Sequence, residues 1–253
     1  MTFNPVERFP GRADGLAGLL LVCDHASNAV PPGIELGLGA QDMGRHIAWD
    51  VGARGVTLAL AEALGAPAVL STFSRLVIDP NRGADDPTLV MKLYDGSIIP
   101  GNRHVDAAEV ERRRAVLHQP YHDTIRRELN RIVAEGEAPM LVSIHSFTPQ
   151  FKGRPQRPWH VGLLWDRDER LIAPLREELA READICLGDN EPYTGALQGD
   201  CMWQHGTSRN IPHALIEIRN DLIEDAARQK AWAARLAPMI LRAVAAARTQ
   251  TLS

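Results

Sequence analysis

The sequence lacks the features that would tie it to a membrane, to nucleic acid or to a disulfide framework. Its 253 residues include three cysteines, none in a C-x-x-C pair, a sparse and odd set that is typical of a reducing compartment. The formal net charge is -4, without the basic excess of a nucleic-acid-binding protein or the Lys/Arg run of a membrane-surface protein. The longest apolar run, at residues 19–23, is too short to span a bilayer, and the N-terminus has no signal-peptide pattern. These absences predict a cytoplasmic protein.

Three catalytic signatures are also absent. The chain has no G-x-S-x-G sequence, which argues against a serine hydrolase with a nucleophile elbow. It has neither a P-loop nor a G-x-G-x-x-G sequence, so a nucleotide cofactor is not indicated.

The composition and the order of patterns predict the fold class. With 45% hydrophobic and 24% charged residues, the chain can form one catalytic domain over residues 1–253. Strands are predicted at 19–23, 68–72, 76–78, 140–144, 161–165 and 213–218. Helices are predicted at 50–64, 109–135 with an interruption at Gln119-Pro120, 171–183 and 221–248. This alternation predicts an α/β fold with a mainly parallel or mixed central sheet and helices on both faces.

Two stretches have the composition of long loops. Residues 83–105 and 151–159 contain proline and glycine and no clear period. Loops of such length in a compact domain are more often lids or binding loops than simple connections.

Three polar residues fall at or near the ends of predicted strands, and this position suggests a shared site. They are His25, His145 and Glu217. Because ligands bind beyond the carboxyl ends of strands in open parallel sheets, we expect these side chains to converge. Two imidazoles with a third ligand match a catalytic zinc site with an open position. A carboxylate beside it would act as the general base.

The third metal ligand has three candidates. Asp50 begins the first long predicted helix, and its carboxylate is a better zinc ligand than the amide of Asn28. Asn28 follows His25 closely and offers an amide oxygen, while His46 lies one helical turn before Asp50. We predict Asp50.

A series of short motifs resembles the N-formylglutamate amidohydrolase family. In chain order they are DHASNAVPP at 24–32, SRLVIDPNR at 74–82, SIHS at 143–146, LGDNEP at 187–192, QHG at 204–206 and IEIRND at 216–221. Each motif is weak alone, but their order is specific for the family.

The resemblance implies a zinc-carboxypeptidase-like fold, related to aspartoacylases and to zinc N-acetylmuramoyl-alanine amidases. It implies one Zn²⁺ per chain, held by His25, Asp50 and His145, with Glu217 as the catalytic base. The activity implied is hydrolysis of the amide bond of an N-formyl or N-acyl amino acid in amino-acid metabolism.

The same resemblance and the chemistry of carboxylates suggest the substrate-binding residues. Asp79, Asn81 and Arg82 are similar to the D-x-N-R motif with which aspartoacylases hold a substrate carboxylate. Arg75 is a further substrate-binding candidate, since arginine binds carboxylates in a bidentate manner. Arg219 is a third carboxylate-binding candidate after Arg82 and Arg75, and one of these arginines is the alternative donor to the oxyanion of the transition state. Arg219 and His205 are predicted as catalytic residues, with His205 either donating to the same oxyanion or orienting the substrate.

Several alternatives remain open from the sequence. After the first strand this chain has HASNAVP where histidine-degrading members have H-x-G-T-x-I-P, so another N-acyl amino acid is the alternative substrate. A peptide or cell-wall amidase and a non-catalytic metabolite-binding protein are the alternative functions. Iron, cobalt and manganese are alternatives to zinc, and the sequence does not fix the oligomeric state.

Overall fold

The structure is a computed structural model that describes residues 3–251, and its main element is a mixed β-sheet. Within these residues the strands are β1 (Val6–Phe9), β2 (Leu19–Cys23), β3 (Ala68–Ser71), β4 (Leu93–Tyr94), β5 (Ser97–Ile98), β6 (Met140–Phe147), β7 (Val161–Leu164), β8 (Leu187–Asp189) and β9 (His213–Arg219). The α-helices are α1 (Ala40–Met43), α2 (Ala53–Leu64), α3 (Ala107–Arg113), α4 (Gln119–Ala134), α5 (Ile172–Ala180), α6 (Cys201–His205) and α7 (Ala226–Thr251).

The sheet has seven strands in the order β1-β3-β2-β6-β9-β7-β8. Its centre is parallel, from β3 through β2 and β6 to β9. On one side β1 runs antiparallel to β3, and on the other β7 runs antiparallel to β9 and parallel to β8. The strands β4 and β5 form a separate hairpin. The predicted α/β class with a mixed sheet is confirmed.

Alternate residues of the central strands pack on opposite faces, because side chains alternate along a strand. In β2, Leu19 and Leu21 join a core cluster with α2, α5 and α7, whereas Leu20 and Val22 join a cluster with α4 and α6. Helices therefore cover both faces, as predicted, and β2 and β6 are buried along their whole length. This burial explains why β2 is a continuous apolar run and why β6 is mainly apolar in its first half.

The prediction of a strand at residues 76–78 is wrong. These residues form a buried turn, in which the Val77 amide donates to the Ser74 carbonyl at 3.0 Å and the Leu76 amide donates to the Ser74 hydroxyl at 3.2 Å. The apolar side chains belong to a third core cluster, built mostly from loop residues, beside the carboxyl ends of β2 and β3. The run is therefore buried without being a strand.

The predicted interruption of the helix at 109–135 is confirmed. A π-helical turn, Arg114–His118, joins α3 to α4, and Pro120 lies in the first turn of α4. Because proline has no amide hydrogen, a locally wider turn accommodates it without ending the helix.

None of the helices within residues 3–251 combines the length and the apolar character needed to cross a membrane.

Candidate metal centre and active site

The sheet register places the main polar residues side by side. His145 lies within β6 and Glu217 within β9, and the two are direct partners in the parallel pairing of these strands. Both side chains point to the face covered by α4 and α6, since they are in phase with Leu141 and Leu215 of that core cluster. His25 comes two residues after the end of β2, the neighbour of β6 on its other side.

Two histidines and one aspartate form a buried group at this end of the sheet. Asp50 Oδ2 lies 2.8 Å from His145 Nδ1 and 3.4 Å from His25 Nδ1. One potential ligand atom from each residue lies within 4.8 Å of the others, and all three residues are buried. The Asp50 amide donates to the His25 carbonyl at 3.0 Å, which fixes the turn before α2 against the end of β2.

The other nitrogen of each imidazole faces a second carboxylate. His25 Nε2 lies 2.6 Å from Asp79 Oδ1, and His145 Nε2 lies 2.8 Å from Asp24 Oδ2. In metal sites of proteins, a ligating histidine usually donates its remaining N–H to a carboxylate or a carbonyl, which orients the ring. Both imidazoles thus have the surroundings of metal ligands that bind through Nδ1.

The carboxylates of this group remain ionised in spite of their burial. Burial disfavours the charged form of Asp50, but Arg75, His25 and His145 outweigh it and hold its pKa well below the ordinary value. For Asp24, burial is outweighed by the hydrogen bond and charge of His145, and the pKa is again lowered. Arg75 donates through Nη2 to Asp50 Oδ1, the oxygen that faces away from the imidazoles.

The donor set fits a divalent cation. His25 Nδ1 is buried and has no hydrogen-bond partner among the described residues, although it faces Asp50. The carboxylates of Asp24, Asp50 and Asp79 outnumber the single guanidinium of Arg75, so two negative charges remain when the imidazoles are neutral. One divalent cation at the Nδ1 atoms would balance them, and two imidazoles with a carboxylate suit zinc.

Glu217 lies beside this group with a carboxyl group poised to exchange a proton. Burial raises its pKa to about 7, with the positive charge of His145 acting in the opposite direction. Its Oε2 atom is buried and has no hydrogen-bond partner in the described part of the chain. A general base works best when its pKa lies near the working pH.

A cavity of about 300 Å³ opens onto these residues. Its lining includes His25, Asp50, His145 and Glu217. Its remaining wall includes two arginines, an amide and two phenols, contributed by Arg75, Arg82, Asn81, Tyr94 and Tyr193. Tyr94 belongs to the β4–β5 hairpin, so part of the loop predicted at 83–105 does line the cavity. The volume suits a small molecule.

The structure separates the three candidates for the third ligand. Asp50 belongs to the group with His25 and His145. The Asn28 amide nitrogen instead donates to the Met43 carbonyl at 2.8 Å, and His46 Nε2 lies 3.2 Å from Asp95.

Three predicted site residues do not line the cavity. His205 stacks on His122 in a second buried cluster on the α4 side. Arg219 Nε donates to Asp221 at 2.8 Å, and Arg219 is not among the described residues that line the cavity. Asp79 holds His25 instead of facing the cavity where a substrate would bind.

Sequence reasoning missed Asp24 as the partner of His145. A signal was present, because Asp24 immediately precedes His25 and follows Val22, the register partner of Ser143. Two residues beyond that pair, Asp24 comes level with His145. Ser143 and Tyr121 complete the set by donating their hydroxyls to the Asp24 carboxylate at 3.0 and 2.9 Å.

Comparison with known proteins gives matches over most of the chain. A family model described as N-formylglutamate amidohydrolase matches residues 17–224. An N-formylglutamate deformylase from Pseudomonas aeruginosa is 31% identical over 149 residues, which cover 52% of this chain and 53% of that protein. The chain thus spans about half the length of this curated relative in the match.

Two solved structures are similar over almost their whole length. A gene product from Agrobacterium tumefaciens has 34% identity and a TM-score of 0.89, with 96% of each chain covered. An N-formylglutamate amidohydrolase from Ralstonia eutropha JMP134 has 20% identity and a TM-score of 0.75, with 97% of this chain and 99% of that chain covered. The second likeness concerns the fold alone.

Proposed function

Because the chain belongs to the N-formylglutamate amidohydrolase family, we propose that it hydrolyses the amide bond of N-formylglutamate or of a closely related N-acyl amino acid. The products are a carboxylate and a free amino acid. The observation that carries this proposal is the pair of buried imidazoles whose Nδ1 atoms face one oxygen of Asp50. It is supported by the cavity of about 300 Å³ above them, lined by Glu217 and two arginines.

His25, Asp50 and His145 are the residues that would hold the metal, with Zn²⁺ as the proposed ion. Asp79 and Asp24 would keep the two rings oriented through their Nε2 atoms. When bound, the ion supplies Lewis-acid polarisation of the scissile carbonyl.

Glu217 is the proposed general base. Its unpartnered Oε2 atom is available to take a proton from the attacking water and to return it to the leaving amine. The pKa of about 7 allows both directions of transfer near neutral pH. Glu217 is the register partner of His145 in the neighbouring strand, and this pairing fixes the distance between the proposed base and the metal group.

The arginines of the cavity are proposed to recognise the carboxylates of the substrate. Arg75 has a buried Nε atom with no hydrogen-bond partner among residues 3–251, so this donor remains free beside Asp50. Arg82 donates through Nη1 to the Asn81 carbonyl, which turns its guanidinium along the cavity wall. Arginine at two points of one small cavity suits an acidic amino acid with more than one carboxylate.

We also propose that the described residues act as one catalytic domain. The proposed ligands and the base come from β6, β9 and the segments after β2 and before α2, all within one sheet and its connections.

The test combines metal analysis with an assay of amine release from N-formylglutamate. The wild type is expected to carry zinc and to turn over, and Glu217→Gln to keep the zinc while kcat falls by about 10²–10⁴-fold. His145→Ala should lose both activity and one equivalent of zinc. Glu224→Gln is the matched control, because this exposed acid contacts Arg228 far from the cavity and should behave as wild type.

Wild-type protein that stays inactive on N-formylglutamate and on a panel of other N-acyl amino acids, with zinc bound, would overturn the hydrolase proposal. Binding of the acids without turnover would identify a metabolite-binding protein instead. Full activity of Glu217→Gln would remove this residue from the mechanism and leave the metal group untouched.

A further inference from the structure

A second group of potential ligands lies beside the proposed metal centre, where the Cys201 thiol contacts Asp24, and contains none of the residues proposed to hold the first metal. It consists of His122 in α4 with Cys201 and His205 in α6, and is called the His–Cys cluster below. One ligand atom from each residue lies within 4.8 Å of the others, and none of the three side chains is more than 3% exposed. We propose that the His–Cys cluster is a second metal site, for a borderline or soft divalent cation of the Zn²⁺ type.

The hydrogen bonds of His122 leave the correct nitrogen available. Its Nε2 atom lies 2.9 Å from the Pro80 carbonyl oxygen, which can only accept, so Nε2 carries the proton. Nδ1 therefore has a free lone pair, and it faces His205 Nε2 at 2.9 Å. An N–H held by a backbone carbonyl is the usual arrangement of a ligating imidazole.

His205 is incompletely satisfied by protein partners. The contact with His122 engages one ring nitrogen, while the other, Nδ1, is buried without a partner among the described residues. A cation between the two rings would bind His205 Nε2 directly, in place of the proton that now lies between this atom and His122 Nδ1.

The spacing of Cys201 and His205 brings the thiol to the same place. Residues four apart lie on one face of a helix, so both side chains of α6 point toward α4. Thiolate and imidazole together select Zn²⁺ and softer ions over Mg²⁺ or Ca²⁺. On binding, the Cys201 thiol releases its proton to solvent, and the proton shared by the two rings moves to the free Nδ1 of His205.

One residue of the cluster borders a second cavity. A cavity of about 670 Å³ opens on the α4 side, and His122 forms part of its wall together with His118. Aspartates 85, 86 and 123 also line this cavity, with two arginines among them. His122 thus connects the buried cluster to a cavity that shares no lining residue with the cavity of the proposed active site.

The inference does not depend on the hydrolase proposal, and the test separates the two. Metal-free protein is titrated with Co²⁺ as the probe. Coordination of Co²⁺ by a thiolate gives a charge-transfer absorption in the near ultraviolet, which the group of His25, Asp50 and His145 cannot produce. The wild type is expected to bind a second equivalent of Co²⁺ and to show this absorption. Cys201→Ser is expected to lose the second equivalent and the absorption.

Two further variants act as controls. Cys186→Ser, which removes an exposed thiol, should keep the absorption and the stoichiometry of the wild type. His145→Ala should keep the thiolate absorption and lose only the equivalent of Co²⁺ that binds at His25, Asp50 and His145. Persistence of the thiolate signal in inactive protein would uphold the second site even if the hydrolase proposal failed.

X-ray absorption of wild-type protein loaded with excess Zn²⁺ decides the matter if Cys201→Ser does not fold. A sulfur neighbour at about 2.3 Å is the expected result. Binding of a single equivalent, with no sulfur neighbour and no thiolate absorption, would overturn the proposal. The His–Cys cluster would then be a hydrogen-bonded contact between α4 and α6.

Discussion

The two oxygens of Asp50 serve different partners. Oδ2 faces both imidazoles and accepts from the Ser146 amide at 3.2 Å, whereas the other oxygen accepts from Arg75. The guanidinium keeps Asp50 ionised without taking the oxygen that a metal would need. Arg75 thus links the proposed metal group to the proposed substrate carboxylate, and replacing it would disturb both.

Asp200 is a buried carboxylate whose ionisation should cost stability. It accepts from the Trp203 amide at 2.7 Å at the start of α6, and burial raises its pKa to about 7. Since this value lies above the unfolded pKa of about 4, the folded state retains a proton that the unfolded state loses. The contribution of Asp200 to the free energy of unfolding should therefore fall as pH rises from about 4 to about 7.

Asp200→Asn should remove this dependence, because the amide oxygen still caps the helix without a charge. We expect the variant to be more stable than wild type at pH 8, by a few kcal/mol, and to lose the advantage at pH 4. Urea unfolding at both pH values measures the difference. Asp106→Asn is the control, since it alters an exposed cap of the same type on α3. A constant difference for Asp200→Asn at all pH values would contradict the assignment.

At the scale of elements, the start of α2 determines where Asp50 lies. Gly52 precedes the helix with φ of 84°, and a Cβ atom there would lie 2.3 Å from the Ile223 carbonyl oxygen. Gly52→Ala should therefore destabilise the fold by about 2 kcal/mol or more, through backbone strain and this clash. It should also weaken metal binding, because Asp50 is only two residues away.

Gly33→Ala separates the two causes. Gly33 has φ of 81°, but a Cβ atom at this position would have no neighbour within 4 Å, so only the backbone strain of about 1–2 kcal/mol applies. Denaturant midpoints and zinc affinity are measured for both variants. Equal losses in the two would show that contact with Ile223 is unimportant.

Elements with a clear apolar pattern in their own sequence could be predicted. Elements whose structure depends on packing against neighbouring segments could not. The buried strands β2 and β6 were predicted from short, mainly apolar runs, and β9 from apolar residues that alternate around Glu217. The edge strand β1 and the short β8 were missed, since their half-exposed sequences carry no such signal. The run at 76–78 misled because burial in a loop cluster selects the same residues as burial in a strand.

Prediction of the candidate site from the sequence has the same limit, because packing between elements is not recorded in local patterns. His25, His145 and Glu217 were predicted together because strand ends meet at one edge of a parallel sheet. The separation of His205 and Arg219 from the cavity depends on how α6 and the segment after β9 pack, which no local pattern records. The order of the motifs therefore predicted a candidate site, and packing decides which of the motif residues line its cavity.

For the whole molecule, metal binding should add to stability, because the ligands come together only in the folded chain. Treatment with a chelator should lower the melting temperature, and added Zn²⁺ should restore it. At a free concentration of 1,000 times Kd, one site contributes about 4 kcal/mol. His145→Ala should keep part of the response through the His–Cys cluster, and His145→Ala with Cys201→Ser should keep none. An unchanged melting temperature of the wild type would argue against a resident metal.

The strand order has a consequence for synthesis on the ribosome. In the sheet, β9 lies between β6 and β7, although it is the last strand to leave the exit tunnel. Before β9 emerges, no strand pairs β7 and β8 with the rest of the sheet. The proposed base, Glu217 of β9, is also absent until then. A nascent chain that stalls after β8 would expose the unpaired edges of β6 and β7, which are prone to aggregate. The protein should thus depend on chaperones most in the interval between the emergence of β7 and that of β9.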